Sequence, residues 1–125
     1  MISRRTIRIK VLQVLYAYYA SPDKSMNNSE KELFFSLSKS YDLYNYLFAL
    51  FIEIADYAQR KIDTNRSKLV PSPEDLNPNT RFVDNRIIHM LRNNRRLQAY
   101  LNQSKPSWNN HPELIKELYN FLAES

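Results

Sequence analysis

Apolar residues recur along most of this chain at steps of three and four, the spacing of one helix face. Ile7, Val11, Val14, Leu15 and Tyr18 fall on one side at about 100° per residue, and they read as core. Arg5, Arg8, Leu12, Tyr16 and Tyr19 form a neighbouring stripe; Thr6, Lys10, Gln13 and Ala17 make a third, more polar side. With Ser3 as cap and Ser21-Pro22 as stop, the pattern predicts a helix over 3–20. A second helix is expected over 29–66, opened by Ser29 with Glu32 as a capping box. Its stripe runs through Leu33, Leu37, Tyr41, Tyr44, Phe48, Phe51, Ala55, Ala58 and Ile62, which predicts that Phe48 and Phe51 are buried. If that long helix breaks, Ser38–Ser40 is where it would do so.

Pro71, Pro73 and Pro78 predict an extended connector over 69–79. A third helical region, 80–104, carries Asn93-Asn94 in its middle, a pair suited to ending one helix and capping the next. Lys105-Pro106-Ser107 interrupts the chain, and a last amphipathic helix is expected over 110–124, using Leu114, Ile115, Leu118, Phe121 and Leu122. No segment alternates as a half-buried strand does. The expected fold is all-α, a small bundle with one long central helix.

Composition supports this reading. The 125 residues suit one domain, with 43% hydrophobic and 13% aromatic residues to supply a core. Glycine is absent, which disfavours hairpin-rich sheets and excludes the phosphate-cradling loops of nucleotide-binding folds. Cysteine is absent too, which removes disulfides, thiol nucleophiles and Cys-ligated metals. The longest uncharged stretches, 11–22 and 43–52, are too short to span a bilayer. No secretory leader is legible, so a cytoplasmic protein is expected.

Candidate catalytic chemistry is thin. His89 and His111 lie in different helical regions and form no metal cluster, and His111 before Pro112 suits a turn. Glu113 and Glu117, one turn apart, read as a solvated helix face. With no nucleophile, base and orienting group in relation, neither an enzyme nor a cofactor is expected.

Charge is more informative. The net charge is +5, and residues 1–22 carry Arg4, Arg5, Arg8 and Lys10 without an acid. Residues 81–96 carry Arg81, Arg86, Arg92, Arg95 and Arg96 against Asp84 alone, so Arg86, Arg92, Arg95 and Arg96 form a candidate second basic surface. Arginines at a helix N-terminus oppose the helix dipole, which favours acids there, and this points to an external anion. Guanidinium groups grip phosphates and stack on bases. Gln13 and Tyr16, within two turns of Arg8, add a hydrogen-bonding amide and a stacking ring. Arg4, Arg5, Arg8, Lys10, Gln13 and Tyr16 are therefore the candidate site for single-stranded RNA.

The same segment, Arg-Arg-x-x-Arg-x-x-x-Leu-Gln-x-Leu-Tyr over residues 4–16, resembles the opening helix of the NusB transcription-antitermination family. That helix usually reads close to Arg-Arg-x-Ala-Arg-x-x-Ala-Leu-Gln-x-Leu-Tyr. The resemblance implies an all-helical RNA-binding protein that takes boxA-type single-stranded RNA of ribosomal RNA leader transcripts. It further implies action with NusE, a small-subunit ribosomal protein, in the transcription elongation complex. The family's closing pattern, close to Ile-Pro-x-Lys-Val-Ala-Ile-Asn-Glu, does not occur here, and the long second helix and proline connector resemble its enlarged members. The expectation is an N-terminal part of a longer protein, with the NusE-binding surface largely in the other half. Two alternatives remain open: the NusB-like domain of a ribosomal RNA cytosine methyltransferase, or a helical interaction module that binds no nucleic acid.

Overall fold

A computed structural model describes residues 2–124, and they are all-α apart from their connecting loops. The helices are α1 (Arg4–Ala20), α2 (Met26–Arg66), α3 (Pro73–Leu76), α4 (Arg86–Asn93), α5 (Arg95–Ser104) and α6 (Pro112–Glu124). The chain divides into two compact units, Met1–Tyr44 and Asn45–Ser125.

In the first unit α1 starts as its sequence predicts. The Ser3 hydroxyl accepts the Thr6 N–H at 3.2 Å, and Ser21 closes the helix by donating its N–H to the Ala17 carbonyl. The start of α2 differs from expectation. Ser25 rather than Ser29 takes the cap position, its hydroxyl accepting the Asn28 N–H, so the Ser29/Glu32 box does not form and the helix gains a turn. No break occurs at Ser38–Ser40. The Ser38 and Ser40 hydroxyls bond back to the carbonyls of Phe35 and Ser36, so they use helix acceptors without interrupting the ladder.

Residues 2–44 contain no fully buried side chain. The predicted core face of α1 is correspondingly only half right. Val11, Val14 and Tyr18 are half-buried, while Ile7 and Leu15 are exposed. Two helices side by side cover each other along one line only, too little to enclose a core.

The second unit does enclose one, with Ala58, Ile62 and Val83 at its centre and Phe82 and Tyr119 packed against them. The Tyr119 ring meets Tyr57 at 5.4 Å and Phe82 at 6.1 Å, both edge to face, which fastens α6 to α2 and to the turn before α4. At the other end of this stretch of α2, the Trp108 indole donates to the Tyr46 carbonyl and the Tyr46 hydroxyl donates to the Ser107 carbonyl. The expected burial of Phe51 is not found, since 45% of it is exposed, and Phe48 is half-buried. The covered face of α2 changes along its length: Asn45 and Ala49 lie toward one side, Ile54, Ala55, Ala58 and Ile62 toward another. Phe51 falls where one cover gives way to the next.

The proline connector is not wholly extended. Pro73 opens the single turn of α3, with a complete capping box between Ser72 and Asp75. The Ser72 backbone N–H is the main influence holding the Asp75 carboxyl below its usual range, followed by Lys68, which reaches the same carboxylate at 3.2 Å. The helical region expected over 80–104 starts later, at Arg86, and is divided into two helices at Asn94. Asn85 caps α4 and Asn94 both ends it and caps α5 by accepting the Leu97 N–H, the dual role expected of the asparagine pair. Residues 81–84 form a turn.

Candidate nucleic-acid interface

The candidate residues on α1 separate by position around the helix. Arg4, Arg5, Arg8, Gln13 and Tyr16 are all exposed, and they lie within one outward-facing half of the cylinder. Arg5, Arg8 and Tyr16 stand in its middle, together with Leu12 and Tyr19. The exposures of Leu12, Tyr16 and Tyr19 are 69%, 77% and 72%, so the stripe carries apolar and aromatic surface open to solvent beside the guanidinium groups. Tyr19 is held edge to face against Tyr18 at 5.4 Å.

Lys10 is not part of this surface. It is half-buried on the opposite side of α1, where it lines a hollow with Glu32, Phe35 and Lys39 of α2. The sequence placed it in the basic run because it neighbours Arg8 in order, but two residues further along a helix turn the side chain about 200° away. Its place against α2 removes it from the candidate face.

The first turn of α1 holds Arg4 and Arg5 and no acid. None of the ion pairs among the described residues reaches Arg4, Arg5 or Arg8. The face can therefore offer three unpaired guanidinium groups, then an amide and two phenol rings, over four turns of one helix. That order suits a flexible polyanion with flat, unpaired bases.

The second basic surface needs correction. Arg92 is half-buried and bonds the Asp56 carboxylate of α2, so it ties α4 to the long helix rather than standing free. Arg86, Arg95 and Arg96 remain exposed and outside the ion pairs of the described residues. The pairing was not legible because Asp56 lies 36 residues away on another helix.

His89 is exposed on α4. His111 is exposed, its ring set edge-on to Trp108 at 6.3 Å while its N–H closes a turn on the Trp108 carbonyl. Among the described residues no three His, Asp or Glu side chains gather as a metal-binding group. No helix of the described residues is long and apolar enough to cross a membrane. The chain matches no protein-family model, no curated protein and no solved structure.

Proposed function

We propose that this chain is an RNA-binding antitermination factor of the NusB type, and that the outward face of α1 takes boxA-type single-stranded RNA from ribosomal RNA leader transcripts. In this reading NusE is the protein partner, the transcription elongation complex is the setting, and the cytoplasm is the compartment. The chain binds and does not catalyse. One observation carries the reading: Arg4, Arg5 and Arg8 stand exposed, outside the ion pairs of the described residues, on the face that also presents Gln13 and Tyr16. The arginines would hold successive phosphates, Tyr16 would stack on an unpaired base, and Gln13 would bond a base edge.

Alanine substitutions measured with a boxA-type RNA test it. Arg5→Ala and Arg8→Ala should each weaken binding severalfold, and Tyr16→Ala should do so by about tenfold, the value of one stacked base. Lys10→Ala should leave affinity nearly unchanged, because its side chain faces α2. Equal, small effects at all four positions would overturn the assignment of this face.

A second reading rests on Leu12 and Tyr19, whose apolar surface lies open on the same face. They fit a protein partner docking along α1. Leu12→Ala would then weaken that association severalfold while leaving RNA affinity within about twofold.

A further inference from the structure

The second unit contains a hollow of about 450 Å³ between the turn that precedes α4 and the last turns of α6. That size lies within the ~300–1,000 Å³ usual for sites that hold small ligands. Asn79, Arg81 and Asn85 contribute its polar groups, and Phe82, Tyr119 and Leu122 its apolar ones.

The polar groups share one chemical character. The Asn79 side-chain oxygen accepts the Arg81 backbone N–H at 3.1 Å, and the Asn85 oxygen accepts the Ile87 N–H at 2.8 Å. A backbone N–H can bond only to the oxygen end of an amide, so both side chains are fixed in orientation. Each leaves its NH₂ group with no partner among the hydrogen bonds of the described residues. Arg81 is exposed and outside the ion pairs of the described residues. Among the described residues no carboxylate lines the hollow. The residues lining it therefore include one guanidinium and two amides with NH₂ groups to donate, beside the rings of Phe82 and Tyr119. The rings are fixed by the Phe82–Tyr119 contact and by Lys61, whose ammonium lies 4.9 Å from the centre of the Tyr119 ring.

A ligand matched to this site is flat, carries acceptors along its edge and bears a negative charge. We infer that the hollow holds one unpaired nucleotide of the RNA, its phosphate on Arg81 and the oxygen or ring-nitrogen acceptors of its base on Asn79 and Asn85. An acidic peptide would satisfy the three donors but would leave the two rings unused, and so fits less of what is present. The inference rests on the RNA reading above, and it adds a contact separate from α1.

The test observes the side-chain amide signals of Asn79 and Asn85 by NMR on the full chain. The probes are uridine monophosphate, inorganic phosphate, a hexaglutamate peptide and a boxA-type RNA. Uridine monophosphate should move both signals, and it should do so equally in the Arg5→Ala/Arg8→Ala double variant, so this arm does not depend on α1. Asn79→Asp and Asn85→Asp keep the oxygen that bonds the backbone, and hence the turn and the α4 cap, while replacing the donor with a charge. Each of these, and Arg81→Ala, should weaken the RNA about tenfold, one charge-assisted hydrogen bond's worth. RNA that binds through α1 with both amide signals unmoved and Arg81→Ala at full affinity would overturn this inference and leave the RNA reading intact. Signals moved by nucleotide while the α1 variants keep full RNA affinity would support the hollow and sink the α1 assignment. Equal response to inorganic phosphate and nucleotide, or response to hexaglutamate alone, would overturn the nucleotide.

Discussion

Arg4 and Arg5 occupy the turn of α1 where the unpaired N–H groups make the helix end positive and where acids are favoured. A basic pair there lowers helix stability, and the proposed anion would offset that cost. Stability and binding should therefore move in opposite directions in one variant. Arg5→Glu is expected to raise the unfolding free energy by roughly 0.5–1 kcal/mol at low salt and to lower RNA affinity at least tenfold. Thermal melts beside binding isotherms check both, and a variant losing stability and affinity together would mean that Arg5 has a structural role. Lys105 presents another tension at this scale. In a chain without glycine it takes the left-handed position after α5, with φ 42° and ψ 48°. A side chain costs about 1–2 kcal/mol in that conformation, partly offset by the greater unfolded-state freedom of glycine. Lys105→Gly should thus be neutral or stabilising by up to about 1 kcal/mol in denaturant unfolding; clear destabilisation would show that the lysine side chain itself contributes.

At the scale of elements, what was legible followed from local chemistry. Ser3, Ser21 and Asn94 act within four residues of themselves, so the cap and stop of α1 and the division at Asn94 could be read from the sequence, whereas the Asn85 cap was missed. The faces were less legible. Ile7 and Leu15 sit on a periodic stripe yet remain exposed, and Phe51 does too, because periodicity identifies a stripe without saying which element covers it. Asp56 meeting Arg92 and Lys10 turning to α2 are likewise matters of packing. The α3 turn has its own pH dependence. The Asp75 carboxyl is held below its ordinary value of 3.8 by the Ser72 N–H and by Lys68. Its contribution is therefore fully present above that ordinary value and is lost as pH falls through the lower, folded one. Amide exchange at Ser72 and Asp75 should accelerate selectively as the solution is taken below about pH 4, while α2 amides remain protected. Loss of protection in α3 already at pH 6 would exclude the carboxylate as its anchor.

Over the whole molecule, burial is uneven along the chain. Residues 2–44 bury no side chain completely and carry the acid-free arginine face, whereas the buried residues among those described lie from Asn45 onward. The all-α class was legible from the three-and-four spacing and the absence of glycine, since both act on every segment at once. The membership of the candidate face was legible in part: five of its six residues share one side of α1, and only the structure removes Lys10. The salt dependence of boxA-type RNA binding tests the central claim most directly, because it counts phosphate contacts. Single-stranded RNA releases about 0.7 counterion per contact, so the three α1 arginines predict a log–log slope near −2, or near −3 with the contact at Arg81, reduced by about 0.7 in Arg8→Ala and unchanged in Lys10→Ala. A slope near zero in the unmodified chain would contradict the account.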